Sequence, residues 1–220
     1  MSAGRTEIPA AFFRVEGAVV PCTAAFTAAW LGANSQRVGQ RIARVGAVAA
    51  SLPFLGGEAR RAARLTWLGL RGTSDDRLEI LGEEFFETWM RDRVRPKAVE
   101  LVARARAEGR RIVLVSDNLD VVVRHLADRL EADELLCNRM EMRDGRATGR
   151  LLDPVISRLG GRQLQELAER RGLDLEASSA YGAHETDAAL LSAVGLPCAL
   201  HPDRALRRVA RDLDWPVVEG

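Results

Sequence analysis

Apolar residues along the chain follow two alternating patterns. Short runs such as RIVLV at 111–115 are typical of buried strands, whereas LDVVVRHLADRL at 119–130 places apolar residues at helical spacing. The same alternation predicts further strands at 10–20, 134–137, 178–182, 197–200 and 215–218, and further helices at 96–108, 161–171, 186–194 and 204–212. Strands connected through helices in this way favour a doubly wound α/β fold with a mostly parallel, Rossmann-like sheet.

Two segments depart from the alternation. Residues 22–90 predict successive helices without strands, and one of these helices starts at Ser74, where a hydroxyl precedes two acidic residues and an apolar run. Residues 140–149 carry Asp144-Gly145 between alternating residues, which indicates a β-hairpin. The sequence therefore predicts an α/β core over 9–21 and 91–220, with a helical cap over 22–90 inserted after the first strand.

Composition narrows the function classes. The 220 residues include 32 basic and 31 acidic side chains, a balance that does not favour a nucleic-acid partner. Cys22, Cys137 and Cys198 lie far apart and predict neither a disulfide framework nor a cysteine zinc site. The longest apolar run, 45–55, is too short for a bilayer, which needs about 20 residues. The first ten residues lack a signal-peptide pattern. We expect a soluble, cytoplasmic protein.

Polar side chains follow three of the predicted strands. In a parallel sheet, ligands bind outside the carboxyl ends of the strands, where the strand order changes direction. We therefore expect these side chains to share one crevice. They are Arg14 and Glu16 from the first apolar run, Ser116, Asp117 and Asn118 after the second strand, and His184, Glu185 and Asp187 after the strand at 178–182.

Four longer stretches carry a family likeness. They are AFFRVEGAVV, RPKAVELVARARAEGRRIVLVSDN, RDGRATGRLLDP and AYGAHETDAALLSAVGLPCALHPDRALRRVARDLDWPV. The last is the most specific, because its order of YG, Asp, VGLP, HPD and WPV is hard to obtain by chance. Together they resemble the haloacid dehalogenase superfamily, in particular its phosphoserine-phosphatase-like branch with a helical cap. The resemblance covers nearly the whole chain and implies the same α/β fold.

The resemblance also implies a chemistry. In the family, an aspartate at the tip of the first strand attacks phosphorus, and a second aspartate two residues later acts as general acid and base. Mg²⁺ is held by the nucleophile and by aspartates after the fourth strand, while a Ser or Thr and a Lys hold the phosphate. Such a site positions a nucleophile and uses cations to neutralise developing charge.

This sequence departs from that pattern at its centre. The nucleophile position falls on Arg14, whose guanidinium stays protonated and has no lone pair for attack. The acid/base position falls on Glu16, and Ser116 retains the phosphate-binding hydroxyl. In the last motif Asp187 is retained, but Ala183 stands in place of an aspartate.

Two further family positions differ. The hydroxyl residue expected after the acid/base position is Ala18. The lysine position falls near Gly160, between Arg158 and Arg162, and the chain's single lysine, Lys97, belongs to another predicted helix. The sequence therefore lacks the nucleophile, the lysine and one metal-binding aspartate of the family.

These losses predict a site without magnesium or any other cofactor. Mg²⁺ requires several oxygen ligands, and Asp187 is the only expected carboxylate that remains. The fixed charge of Arg14 would also repel a cation. A buried guanidinium needs partners, because an unpaired buried charge is costly, and the candidates are Asp187, Glu16 and Asp117.

Each candidate residue leaves alternatives open. Arg14 is either an anion receptor, with Ser116 and nearby backbone N–H groups, or a salt bridge that keeps the pocket folded. Glu16 pairs with Arg14 or shuttles protons, and residues 116–118 contact an oxyanion or cap the next helix. Asp117 is a candidate displaced nucleophile, and His184 is a ligand, an acid/base group or a loop histidine. The predicted ligand-binding residues are Arg14, Glu16, Ser116, Asp117, Asn118, Arg162, His184 and Asp187.

The departures favour a catalytically inactive pseudophosphatase that binds a small anionic ligand or a protein partner in a regulatory role. The alternative is an active hydrolase of a small phosphate ester, with chemistry rerouted through Glu16 or Asp117. A third hypothesis concerns residues 36–55, whose arginines at 37, 41 and 44 flank apolar residues. This segment could lie on a membrane surface or bind a partner helix, although packing onto the core as a cap helix is the simpler interpretation.

Overall fold

The computed structural model describes residues 7–35, 66–152 and 162–219. Its strands are β1 (Ile8–Arg14), β2 (Arg111–Leu119), β3 (Glu134–Asn138), β4 (Met140–Arg143), β5 (Arg146–Leu151), β6 (Leu173–Gly182), β7 (Leu196–Leu200) and β8 (Val217–Val218). Six of them form one sheet in the order β3-β2-β1-β6-β7-β8, and every neighbouring pair in it is parallel. The predicted α/β class is confirmed.

Helices cover both faces of this sheet. They are α1 (Ala24–Asn34), α2 (Asp75–Phe85), α3 (Pro96–Ala107), α4 (Asp120–Arg129), α5 (Arg162–Arg171), α6 (Ala188–Leu191) and α7 (Arg204–Asp212). Along β1, Ala11 and Phe13 pack among residues of α1 to α4, whereas Ala10 and Phe12 pack among residues of α5 to α7. A strand buried on both faces is apolar throughout, which explains the continuous apolar run.

Local signals place several element ends as predicted. The Ser74 hydroxyl accepts a hydrogen bond from the Arg77 N–H at 3.4 Å and caps the start of α2. Asp203 caps α7 in the same way, since its carboxylate accepts from the Leu206 N–H at 2.7 Å. Between β4 and β5, Asp144 and Gly145 have φ values of 50° and 68°, as a two-residue hairpin turn requires.

Several predicted boundaries are wrong. The strand predicted over 111–115 continues to Leu119, and the strand predicted over 178–182 already begins at Leu173. The first strand ends at Arg14, not at residue 20, because the chain turns there: the Gly17 N–H donates to the Val20 carbonyl at 2.8 Å. The apolar residues of this turn are buried in the core without being extended. The helix predicted over 186–194 is a 3-10 turn, Glu185–Asp187, followed by the short α6. The strand predicted from residue 215 is reduced to β8, after Pro216, which has no N–H to donate.

The described part of 22–90 is helical and contains no strand of the central sheet, as its pattern predicts. Besides α1 and α2 it holds a 3-10 turn, Trp67–Leu70, and a π turn, Phe86–Met90. Four aromatic side chains join α1 to the end of α2: Trp30 contacts Phe85, Phe85 stacks on Trp89, and Trp89 contacts Phe26, with ring centroids 4.7–5.4 Å apart. The division into core and cap remains a prediction.

Some predicted features lie outside the described residues. These are the amphipathic segment 36–55 and the family's lysine position at Gly160 with its neighbour Arg158. Arg162 begins α5, but only its backbone is described. Among the described residues, no helix combines the length and the apolar character that crossing a membrane requires.

Candidate functional site

Arg14 is the last residue of β1, at the centre of the sheet between β2 and β6. Its side chain is 6% exposed and makes three ion pairs. Nη2 lies 2.7 Å from Asp117 Oδ2 and 3.4 Å from Glu16 Oε2, and Nε lies 2.9 Å from Asp187 Oδ1. The three partners expected from the sequence are thus all present. We call Arg14, Glu16, Asp117 and Asp187 the Arg14 cluster.

The carboxylates outweigh the cost of burying the guanidinium. Burial alone lowers the pKa of Arg14, but the attraction of Asp117, Asp187 and Glu16 raises it well above its ordinary value. Arg14 is therefore a permanent cation. One positive charge faces three carboxyl groups, so the cluster as a whole has an excess of negative charge once these groups are ionised.

Glu16 is fixed by the segment that follows the buried part of β2. Its Oε1 accepts hydrogen bonds from the Ser116 hydroxyl at 2.6 Å, the Asn118 side-chain amide at 2.7 Å and the Asp117 N–H at 3.1 Å. Three donors on one oxygen suit a carboxylate. Ser116 does not cap α4, whose N-cap residue is Leu119, because its hydroxyl is committed to Glu16 and to the Asn118 N–H.

Asp187 is held equally firmly. Its Oδ2 accepts from the backbone N–H groups of Ala183 and His184, both at 2.9 Å, while Oδ1 faces Arg14. This folding back requires Gly182, since a Cβ there would lie 2.7 Å from the Asp187 Cβ. Both oxygens of the retained aspartate are therefore occupied by groups of the chain itself.

Asp117 is the most accessible carboxyl of the cluster, with its side chain 27% exposed. Desolvation raises its pKa to about 6, because the nearby Arg14 only partly offsets burial and the repulsion of Glu16. Its Oδ1 accepts no hydrogen bond from the described residues. This raised pKa brings the protonation of Asp117 closer to neutral pH than is usual for an aspartate.

The loop after β1 and the loop after β6 touch at Gly17. Gly17 has φ +80°, and a Cβ there would lie 2.6 Å from His184 Nε2 and 2.7 Å from the Ala183 Cβ. Only glycine satisfies both the backbone conformation and the space. His184 itself is 39% exposed and places Nδ1 3.3 Å from Asp203 Oδ2, so it lies beside the cluster without joining its ion pairs.

Two residues of this region were not found from the sequence. The Asn138 side chain donates to the Asp117 carbonyl at 2.7 Å and supports the loop that holds Glu16. Asp203, the N-cap residue of α7, contacts His184 through its Oδ2. The predicted strand stopped at residue 137, so Asn138 directly follows it, and the rule that polar residues follow strands could have found this residue.

A cavity of about 390 Å³ opens on the other side of Gly17. Its polar wall includes Arg95, His184 and Asp203, and its apolar wall includes Phe26 and Trp89. The cavity thus lies between the helical segment and the sheet, next to the Arg14 cluster. Its size is within the range of small-molecule pockets.

The residues present do not fit the magnesium ion that the family resemblance implies. The Asp187 oxygens are taken by Arg14 and by two N–H groups, and the Arg14 guanidinium stands among the remaining carboxylates. Among the described residues, no group of three or more His, Cys, Asp and Glu side chains is arranged to hold a metal ion. A hard cation would meet a fixed positive charge instead of several free oxygens.

Comparisons with curated proteins find relatives among actinobacterial proteins. The chain is 35% identical over 124 residues to an "inhibition of morphological differentiation protein" of Streptomyces azureus, covering 56% of this chain and 45% of that protein. It is 30% identical over 149 residues to a phosphoserine phosphatase of Mycobacterium tuberculosis, covering 67% and 48%. The chain thus spans about half the length of these relatives.

Solved structures agree with the fold. A protein of unknown function from Bordetella pertussis Tohama I is 25% identical with a TM-score of 0.83, covering 97% of this chain and 99% of that one. A phosphoserine phosphatase solved as a phospho-aspartyl intermediate analogue has a TM-score of 0.66 at 18% identity, covering 92% and 90%, a likeness of fold alone. The profile of haloacid dehalogenase-like hydrolases matches residues 13–192, well over half of the chain. The chain therefore belongs to the haloacid dehalogenase-like hydrolase family.

Proposed function

We propose that this chain is a pseudophosphatase, which keeps the family's fold but acts by binding and not by phosphate hydrolysis. The observation that carries the proposal is the Arg14 cluster: at the position where the family resemblance expects the attacking aspartate, a buried guanidinium lies 2.7 Å from Asp117 and 2.9 Å from Asp187. Arg14 has no lone pair for attack on phosphorus.

The same cluster argues against Arg14 as the receptor of an anion. A phosphate placed beside it would also approach three carboxylates that already neutralise the guanidinium. Like charges at such distances repel strongly when they are partly buried. We therefore propose that the cluster is structural, and that a ligand or a partner protein binds outside it. The cavity beside Gly17 is the nearest place for a small ligand.

The cysteines support the cytoplasmic location that the sequence led us to expect. Cys22, Cys137 and Cys198 are free thiols. Burial raises the pKa of each, to about 12 for Cys137 and about 11 for Cys198. Such thiols stay protonated and unreactive, as suits small buried hydrophobic residues in a reducing compartment.

Hydrolysis is the second candidate, and the names of the relatives favour it. One is a phosphoserine phosphatase and another a probable phosphatase, both of Mycobacterium tuberculosis. Asp117 is the residue that an active site would use, because its carboxyl is partly exposed and titrates near pH 6. In this alternative Asp117 would replace Arg14 as the nucleophile or would serve as a general acid.

A phosphatase assay separates the two candidates. Purified protein would be incubated with an aryl phosphate and with phosphoserine, in Mg²⁺ and in EDTA, beside an Asp117→Asn variant. We expect no release of phosphate above buffer from either protein. Turnover that survives repurification and disappears in Asp117→Asn would overturn the pseudophosphatase and establish the rerouted hydrolase. Equal turnover by the wild type and by Asp117→Asn would overturn the pseudophosphatase, and it would also show that Asp117 is not the catalytic residue.

A triple variant, Arg14→Asp, Glu16→Asp and Ala183→Asp, serves as the positive control. It restores the carboxylates that the family resemblance expects, and we expect it to bind Mg²⁺, measured by calorimetry, where the wild type does not. Wild-type binding of Mg²⁺ that is lost in Asp187→Asn would contradict the structural role of the cluster.

A further inference from the structure

A second concentration of charge lies on the β4–β5 hairpin, on residues distinct from the Arg14 cluster. A cleft of about 400 Å³ opens between the hairpin and residues 68–72. Four arginines line it, Arg71, Arg143, Arg146 and Arg150, against two acidic residues, Glu141 and Asp144. We call this the hairpin arginine cleft.

Three arginines of the cleft, Arg143, Arg146 and Arg150, are poorly neutralised by the described residues. Arg143 and Arg146 are directly opposite each other across the two strands. Like charges in this position destabilise a hairpin. Among the described residues, the guanidinium groups of Arg143 and Arg150 have neither an ion pair nor a hydrogen bond, and the side chain of Arg146 donates only to the Gly72 carbonyl, at 3.1 Å.

The acidic residues of the cleft do not compensate. Glu141 accepts a hydrogen bond from the Thr148 hydroxyl at 2.6 Å. Its carboxylate therefore has a partner within the hairpin and forms no ion pair with the described arginines of the cleft. Asp144 occupies the hairpin turn with φ 50°. Even without Arg71, which has an interaction of its own, three guanidinium groups and two carboxylates leave the lining of the cleft with a net positive charge.

The backbone around the cleft is fixed. The Gly72 N–H donates to the Ala147 carbonyl at 2.7 Å, and the Ala147 N–H donates to the Thr73 carbonyl at 2.8 Å. The hairpin also packs against the 3-10 turn, since a Cβ on Gly149 would lie 3.1 Å from the Leu68 Cα. The arginines therefore extend from a rigid support, which lowers the entropy lost when they bind a ligand.

We propose that the hairpin arginine cleft binds a small soluble compound with two or more phosphate groups. The planar guanidinium donates two parallel hydrogen bonds to a phosphate, and arginine is the residue best suited to that geometry. An anion between Arg143 and Arg146 relieves their mutual repulsion. The volume of the cleft accommodates a ligand of this kind, and the three guanidinium groups of Arg143, Arg146 and Arg150 are more than a single phosphate needs.

The test uses methylenediphosphonate, whose two phosphonate groups are joined by carbon and cannot be hydrolysed. Binding to the full chain is therefore independent of whether the protein is a phosphatase. Calorimetry would compare the wild type with Arg143→Ala/Arg150→Ala and with the control Arg204→Ala/Arg208→Ala, which removes two exposed arginines from α7. Arg143→Gln/Arg150→Gln repeats the test while keeping most of the side-chain bulk.

We expect saturable binding by the wild type and by the control, with dissociation constants within about twofold of each other. Both hairpin variants should raise the dissociation constant at least about tenfold, because each lost guanidinium removes charge-assisted hydrogen bonds. Added salt should weaken wild-type binding. Absence of saturable binding, or an equal loss in the control, would overturn the proposal. So would binding only to phosphatidylglycerol vesicles, which would indicate a membrane surface.

Discussion

The guanidinium of Arg14 is buried and ion-paired, whereas the guanidinium groups in the hairpin arginine cleft are mostly exposed. Arg14 is 5% exposed and faces three carboxylates within 3.4 Å, whereas Arg143 and Arg150 are exposed and have no ionic partner among the described residues. A buried guanidinium needs carboxylate partners in the folded protein, because an unpaired buried charge is costly. An exposed guanidinium is solvated by water and stays available to bind a ligand. Residue type alone therefore does not separate a structural arginine from a binding arginine.

The largest expected effect comes from removing the buried cation. Arg14→Met leaves the buried Glu16 and Asp187 and the partly exposed Asp117 without their cationic partner, and we expect it to lower the free energy of unfolding by about 3–5 kcal/mol. Urea denaturation followed by circular dichroism measures this loss. Adding Asp117→Asn and Asp187→Asn to Arg14→Met should recover at least half of it, because the uncompensated charges are removed as well. A single variant as stable as the wild type would show that the cluster does not hold the fold.

The pH dependence of the unfolding free energy tests the Arg14 cluster without removing its cation. The pKa of Asp117 is about 6 in the folded protein and about 3.8 ordinarily, so folding favours the protonated carboxyl. Its contribution is greatest below about pH 4, falls as the pH rises towards 6, and is constant above that value. The total change is at most about 3 kcal/mol.

The measurement compares unfolding free energies of the wild type and Asp117→Asn from pH 4 to pH 7. The difference between the two should change in that window in the direction just given, while other carboxyls cancel. A difference independent of pH would show that Asp117 titrates like an exposed carboxyl.

One glycine lies beside the Arg14 cluster and another in the hairpin, and the two differ in how closely their surroundings pack. Gly17 and Gly145 both have positive φ, but a Cβ on Gly17 would strike His184 and Ala183, whereas a Cβ on Gly145 would meet nothing within 4 Å. We expect Gly145→Ala to cost about 1 kcal/mol for the backbone conformation alone, and Gly17→Ala about 1–2 kcal/mol more. Thermal unfolding of both variants checks this order. Equal losses would mean that the two loops at Gly17 are not in close contact.

The smallest effect is expected where the arginines are exposed. Arg143→Ala/Arg150→Ala should change the free energy of unfolding by no more than about 0.5 kcal/mol, and relief of charge repulsion favours a gain. Chemical denaturation in low salt is the appropriate measurement. A loss of several kcal/mol would place these side chains among the structural arginines and would remove the contrast with Arg14.

The cluster was accessible from the sequence because the family resemblance placed Arg14 at the tip of the first strand, although the apolar pattern alone extended that strand to residue 20. Once β1, β2 and β6 are neighbours, Arg14, Asp117 and Asp187 must meet, and the cost of a buried charge selects the partners. The strand error at residues 15–20 has a definite cause: these residues are apolar because they are buried in a turn, and burial alone does not distinguish a turn from a strand.

Contacts between distant loops were not accessible. The fit of Gly17 against His184 depends on how the loops after β1 and β6 pack, and no local pattern encodes it. Asp203 was overlooked as a partner of His184 because the HPD stretch at 201–203 served only as a mark of family likeness and was given no role in the site. The hairpin was predicted from Asp144-Gly145, but the exposure of its arginines depends on which strand face packs against the 3-10 turn.

The aromatic contacts between α1 and the end of α2 make the protein its own optical probe. Trp30, Trp67 and Trp89 lie in the helical segment, and Trp215 alone reports from beside β8. Intrinsic fluorescence during denaturation therefore follows mainly the helical segment, whereas far-ultraviolet circular dichroism follows the whole chain. Coincident transitions would mean that the helical segment and the sheet unfold as one cooperative unit, and separated transitions would reveal two units.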